Sequence, residues 1–257
     1  MSWNEFGYFA IVSLIFWFSG IAALYLLKRR IFSDILIAAG LIVFSSFIVS
    51  LWLWLGHPPL RTMGETRLWY SFFLVIVGYF TYLRWKYKWL VAYSVLVSSA
   101  FILINLLNPD IHSTNLMPAL QSPWFIPHVT VYILAYAMMG AATIAALIAL
   151  FNNSSDYGKL LRMIDNLVYI GFAFLMAGIL MGALWAKAAW GDYWSWDIKE
   201  TWALITVCTY LLYIHFRKGA FSQKIILWII PIGFVLLMIT WLGLSYLPAA
   251  QGSIHVY

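Results

Sequence analysis

Trp190-Gly191-Asp192-Tyr193-Trp194-Ser195-Trp196-Asp197-Ile198-Lys199-Glu200 separates two long apolar runs. Three tryptophans, a tyrosine and two aspartates fall within its first eight residues. Tryptophan gathers at membrane–water interfaces, where its amphipathic ring is comfortable, and one or two scattered rings would need no other reason. A packed aromatic platform with acidic residues and a following Lys-Glu fits better as a binding surface for a large, flat ligand.

The surroundings of that stretch set the fold class. The chain has 257 residues, 64% hydrophobic and only 9% charged, with mean hydropathy +0.89. A soluble domain carries roughly 25% charged residues, so the chain reads as an integral membrane protein. Its net charge of +6 would point to nucleic acid in a soluble protein. Here it fits basic cytoplasmic loops. Cys208 is the only cysteine, so neither a disulfide framework nor a cysteine zinc site is available, and the chain has no Cys-x-x-Cys-His of its own.

A helix needs about 20 apolar residues to cross the hydrocarbon. Eight runs qualify: Tyr8–Leu27, Ile35–Leu55, Leu68–Leu83, Trp89–Leu107, Val129–Phe151, Leu167–Ala186, Trp202–Phe216 and Ile225–Leu247. The third and seventh are short. The expected architecture is all-α, a polytopic bundle of about eight transmembrane helices forming one membrane domain over 1–257, with the tryptophan-rich loop at about 187–200.

The connecting loops alternate in charge. Lys28, Arg29, Arg30, Arg84, Lys86, Lys88, Lys159, Arg162, Arg217, Lys218 and Lys224 lie on one side; Arg61, Arg67, Lys187 and Lys199 lie on the other. The positive-inside rule then puts both termini and the tryptophan-rich loop on the outer, periplasmic or lumenal side. No basic stretch precedes the first run, as one would in a cleavable signal peptide, so that run reads as a retained helix. The interiors of the eight runs hold no Asp, Glu, Lys or Arg, which argues against an ion-coupled transporter. Gly178-x-x-x-Gly182 in the sixth run, with Gly171 before it, marks a face for close helix packing.

Thr62 to Glu65 and Asp197 to Glu200 both have the spacing of a helix capping box. For Asp197 and Glu200, capping and ligand contact stand as alternatives. The loop from Asn108 to Pro127 holds four prolines and is not expected to be helical throughout.

Among the five histidines, His128 opens the fifth run and His255 follows the eighth, both at the level of the tryptophan-rich loop in this topology. Two neutral imidazoles from different elements can take opposite axial positions on a haem iron, with Arg61, Arg67, Lys187 or Lys199 meeting the propionates. Both histidines can also be ordinary interfacial residues. His215 lies 15 residues after Glu200, roughly 22 Å further along a helix. There it can snorkel or ligate a second haem on the inner side.

From Trp190 through Trp202 the residues resemble the WWD signature of haem-handling membrane proteins that act in cytochrome c maturation. The continuation Lys199-Glu200-Thr201-Trp202, followed by Tyr210, Tyr213, His215 and Arg217, resembles the CcsA/ResC branch rather than the CcmC or CcmF branches. The resemblance is strongest from Gly171 to Arg217, and weaker over Ser122–Tyr136 and the C-terminal tail.

It implies that Trp190, Trp194, Trp196 and Asp197 contact haem b, that His128 and His255 are its external axial ligands, and that His215 is the intramembrane histidine. It also implies a ResB/CcsB-type membrane subunit as partner, apocytochrome c as substrate and a thioredoxin-like thiol-reductant pathway. With no ResB-type domain in these 257 residues, the chain is expected to be one half of a cytochrome c synthase, in a bacterial inner membrane with a periplasmic active face. Arg61-Thr62-Met63-Gly64-Glu65-Thr66 replaces the aromatic, serine-rich loop of other members, and only Glu65 corresponds. The resemblance supports no role for His57 or His112.

A CcmC-like haem carrier without lyase activity is the alternative. A b-type oxidoreductase is a further one, opposed by the presence of only one histidine within a run. A plain scaffold would leave the tryptophan cluster unexplained.

Overall fold

The computed structural model describes residues 2–108, 120, 122–151 and 156–243. The described residues are helical with no strand, and they contain eight long helices: α1 (Phe6–Tyr25), α2 (Arg30–Leu55), α3 (Met63–Trp85), α4 (Trp89–Leu107), α5 (Phe125–Phe151), α6 (Tyr157–Trp190), α7 (Ile198–Phe216) and α8 (Gln223–Met238). α1 with its leading turn, α2, α4, α5, α6 and α8 with its closing turn are long and apolar enough to cross a membrane. α3 and α7, the two short runs, fall below that mark. They carry Glu65, Arg67 and Arg84, or Lys199 and Glu200, within the helix.

The chain divides into two compact units, 1–116 and 117–257. In the first, α1 pairs with α2 and α3 with α4. Both flanks of α1 are apolar, and its packing face mixes small residues with Phe6, Trp17 and Leu24. Ala10, Ser13, Trp17 and Gly20 are buried, while Ile11, Ile15 and Phe18 stay exposed. Trp17 lies over Gly40 of α2 and packs on Phe44 at 5.4 Å. α3 and α4 are joined through polar groups. Ser71 and Ser98 exchange hydroxyl-to-carbonyl bonds, and Asn105 Nδ2 donates to the Gly64 carbonyl at 2.8 Å.

The expected capping box opens α3. The Thr62 hydroxyl accepts from Glu65 N–H, while buried Glu65 accepts from the N–H groups of Thr62 (3.1 Å) and Arg61 (2.6 Å). Burial pushes the Glu65 carboxyl up, and those two backbone donors pull it back. His57 turns onto the neighbouring Pro58 carbonyl at 3.1 Å.

In the second unit α5 packs along α6, and α8 packs on both α7 and α5. α5 contributes a buried alanine face, including Ala135, Ala142, Ala146 and Ala149. α6 meets it with its glycines: Gly171 faces Met138 and Met139, Gly178 faces Tyr132, and Gly182 faces His128. Tyr210 of α7 lies on Gly233 of α8, and the Thr206 and Thr240 hydroxyls stand 3.3 Å apart. α8 carries Pro231 and ends in a π turn, Ile239–Gly243. α6 starts ten residues before its apolar run, which brings Asp165 into the helix.

Candidate functional site

The tryptophan-rich segment is partly helix. α6 continues to Trp190 and stops where Gly191 takes a left-handed φ of 96°, a conformation that glycine adopts without a Cβ clash. Lys187, one turn back, donates its ammonium to the Gly191 carbonyl and lies 5.4 Å from the centre of the Tyr193 ring. The true loop is therefore 191–197.

α7 starts immediately after it in the second expected capping box. Asp197 accepts from Lys199 N–H at 2.9 Å, and Glu200 returns to Asp197 N–H at 3.2 Å. Glu200 does more than cap. The same Oε2 accepts from Ser195 N–H at 2.8 Å, so one carboxylate gathers the backbone on both sides of Trp196. Trp196 has φ 59°, which a bulky residue holds only at a cost of about 1–3 kcal/mol. The residue is 69% exposed, and its ring meets Trp194 edge-on at 5.8 Å. The clamp thus holds a strained backbone that presents an indole outward. Burial pushes the Lys199 ammonium's pKa down, opposed by the Asp197 carboxylate.

α5 begins at Phe125, so His128 sits inside its first turn, with its N–H on the Trp124 carbonyl. Pro127 fits there because first-turn N–H groups have no helical partner. The His128 ring crosses to α6, where Nδ1 lies 2.8 Å from the Gly178 carbonyl oxygen. A carbonyl only accepts, so Nδ1 carries a proton and donates it. Trp185 lies against one side of the ring (5.4 Å, 34°) and Tyr132 meets it edge-on (4.8 Å, 82°). Trp185 in turn touches Trp190 at 4.9 Å and Phe125 at 5.0 Å. A continuous aromatic row therefore runs from Trp190 through Trp185 to His128 and Tyr132, and on to Tyr136 and Trp241. Beside it, a crevice lined by Tyr132, Tyr136, Thr206 and Thr240 opens between the helices.

The structure thus joins His128 to Trp190, and Trp194 to Trp196. The link between His128 and Trp190 is Trp185, 2% exposed and hidden in an apolar run. Sequence reasoning passed over Trp185 and Tyr132; the only signal was the Gly178–Gly182 spacing, which looks like ordinary helix packing. Arg61 and Arg67 belong to the first unit. His112 and His255 lie outside the described residues.

His215 stands at the other end of α7, exposed, with Phe216 as its ring neighbour at 5.7 Å. The helix is fixed about its axis by a network on its opposite flank. Asp165 of α6 accepts from the Tyr213 hydroxyl (2.7 Å), Arg217 Nε (2.8 Å) and Arg217 Nη2 (3.0 Å). That leaves His215 on the same exposed flank as Cys208, Leu211 and Leu212.

Residues 7–250 match the family described as cytochrome C assembly protein. The chain is similar to cytochrome c biogenesis protein CcsA of Trachelium caeruleum, 30% identical over 273 residues that cover 86% of this chain and 85% of the relative. It is 33% identical to the protein of that name from Mesostigma viride, over 84% of each chain. With that of Chlamydomonas reinhardtii it shares 36% identity over 74% of this chain and 59% of the relative. The chain belongs to the cytochrome C assembly protein family and is of the CcsA type.

Proposed function

We propose that this protein is the haem-handling membrane subunit of a cytochrome c synthase. It receives haem near His215, holds it at the tryptophan-loop end between His128 and His255, and presents it to apocytochrome c. The observation that carries this reading is His128, which donates Nδ1–H to the Gly178 carbonyl and is set in the aromatic row that leads to Trp190. Trp194, Trp196 and Asp197 complete the haem-facing segment. Asp197 acts by fixing the start of α7.

In the attachment step each Cys-x-x-Cys-His thiol of the substrate adds across a haem vinyl group. The sulfur bonds to one vinyl carbon and the thiol proton ends on the other, so no group leaves and no oxidant is consumed. The substrate thiols are the reacting groups. The chain's share is orientation and proximity.

His215, exposed beside an apolar flank, fits a site completed by a ResB/CcsB-type subunit. A thioredoxin-like thiol-reductant pathway supplies reduced substrate cysteines. The whole chain works as one membrane domain in this reading. The loop charges place the tryptophan segment and both termini on the outer face, periplasmic or lumenal.

The test is co-expression with a ResB/CcsB-type subunit and an apocytochrome in cells lacking their own synthase, with covalent haem read on denaturing gels. Covalent haem that falls at least tenfold in His128→Ala supports the reading. Haem bound to the chain without any attachment would instead identify a carrier, and no haem in either protein would overturn both.

A further inference from the structure

We infer that Gly182 and Gly178 are positioning residues for the iron ligand, seating His128 on the bare backbone of α6 so that its ring keeps one tautomer and one orientation. This rests on the reading of His128 as an axial ligand. A Cβ at position 182 would fall 2.7 Å from His128 Cε1 and 2.8 Å from Nδ1. One at position 178 would fall 2.8–2.9 Å from carbons of the Tyr132 ring. Side-chain carbons do not approach that closely, so any residue but glycine at 182 lifts the imidazole off the helix.

The ring has nowhere to retreat without breaking the arrangement. Trp185 and Tyr132 hold it from two sides, and the Gly178 carbonyl holds Nδ1–H from α6. Histidine ligands are oriented, and their ligating nitrogen selected, by the acceptor that the other ring nitrogen meets. Here that acceptor is a helix carbonyl, reachable because the residue one turn later lacks a side chain. Gly171 offers the contrast on the same helix. A Cβ there would meet the flexible end of Met139 at 3.0 Å and Met138 Cβ at 3.3 Å, contacts that a few tenths of an ångström relieve. The Gly178-x-x-x-Gly182 pattern is thus a ligand seat, and Gly171 is ordinary packing.

The test uses the full chain with its ResB/CcsB-type partner, purified from membranes and loaded with haem b. Amount of protein and the low-spin bis-histidine absorbance are both read. Gly182→Ala is expected to lower that absorbance per protein at least tenfold, on the scale seen when a ligand's orienting partner is lost, while Gly171→Ala stays within about twofold. In a His128→Ala background without added imidazole, Gly182→Ala is expected to change the residual haem content no further, because it acts only through the ring. If Gly182→Ala accumulates poorly, the double variant is expected to restore its level by removing the clash.

A wild-type spectrum in Gly182→Ala, or equal added damage in the His128→Ala background, overturns the seat. A wild-type spectrum in His128→Ala itself would instead overturn the ligand reading beneath it.

Discussion

His128 and His215 are both single imidazoles offered by helices of the same unit, yet the protein treats them in opposite ways. His128 is held by a carbonyl, two aromatic rings and a glycine floor, all from α5 and α6. His215 is exposed, and what its surroundings fix is the helix rather than the ring, through Asp165, Tyr213 and Arg217 on the far flank. In the proposed reading, one ligand is organised by its own chain and the other is left for completion by a partner subunit. A synthase that takes haem at one end and gives it up at the other has use for that asymmetry. The site of presentation must hold geometry, and the site of receipt must stay reachable.

The largest expected effect breaks the comparison at its fixed end. His128→Ala should lower covalent attachment at least tenfold, and externally supplied imidazole should restore part of it, whereas His215→Ala should lower haem loading without altering the spectrum of haem already bound outside. Next comes the anchor of α7. Asp165→Asn removes the charge that Arg217 faces in a half-buried pair, and should cost about 1.5–3 kcal/mol of stability, read as a lower thermal midpoint in detergent. It should reduce haem loading through His215 while leaving the His128 site spectroscopically intact.

Glu200→Ala takes away the acceptor shared by Ser195 and Asp197. It should cost about 1–2 kcal/mol and expose the 191–197 loop to proteolysis without melting the bundle. The smallest effect has the opposite sign. Trp196→Gly should raise stability by about 1 kcal/mol by relieving the left-handed backbone, and still lower attachment because the exposed indole is gone. A thermal scan beside an attachment assay separates the two.

Much of this was legible before any coordinates. Eight apolar runs stand out because membrane helices need continuous hydrophobicity and polar residues crowd into the loops between them. Both capping boxes are readable because Thr62–Glu65 and Asp197–Glu200 are local patterns that need no tertiary context. What escaped the sequence is tertiary and apolar. Trp185 and Tyr132 look like any other residues of a lipid-facing run, and nothing local tells that they flank an imidazole. Gly178 and Gly182 announce a close approach, but not that the approaching group is a histidine ring. Asp165 was hidden for a different reason. It precedes the apolar run, and only the early start of α6 carries it into the helix opposite Arg217.

The most direct measurement is the optical spectrum and haem content of the membrane-purified protein with its ResB/CcsB-type partner, comparing wild type with His128→Ala, His255→Ala and His215→Ala. The account predicts a bis-histidine low-spin spectrum that is lost or strongly weakened in the first two variants, and a lower haem content with an unchanged external spectrum in the third. Wild-type haem and spectrum in all three would contradict it, and would return the tryptophan row to the role of a membrane anchor.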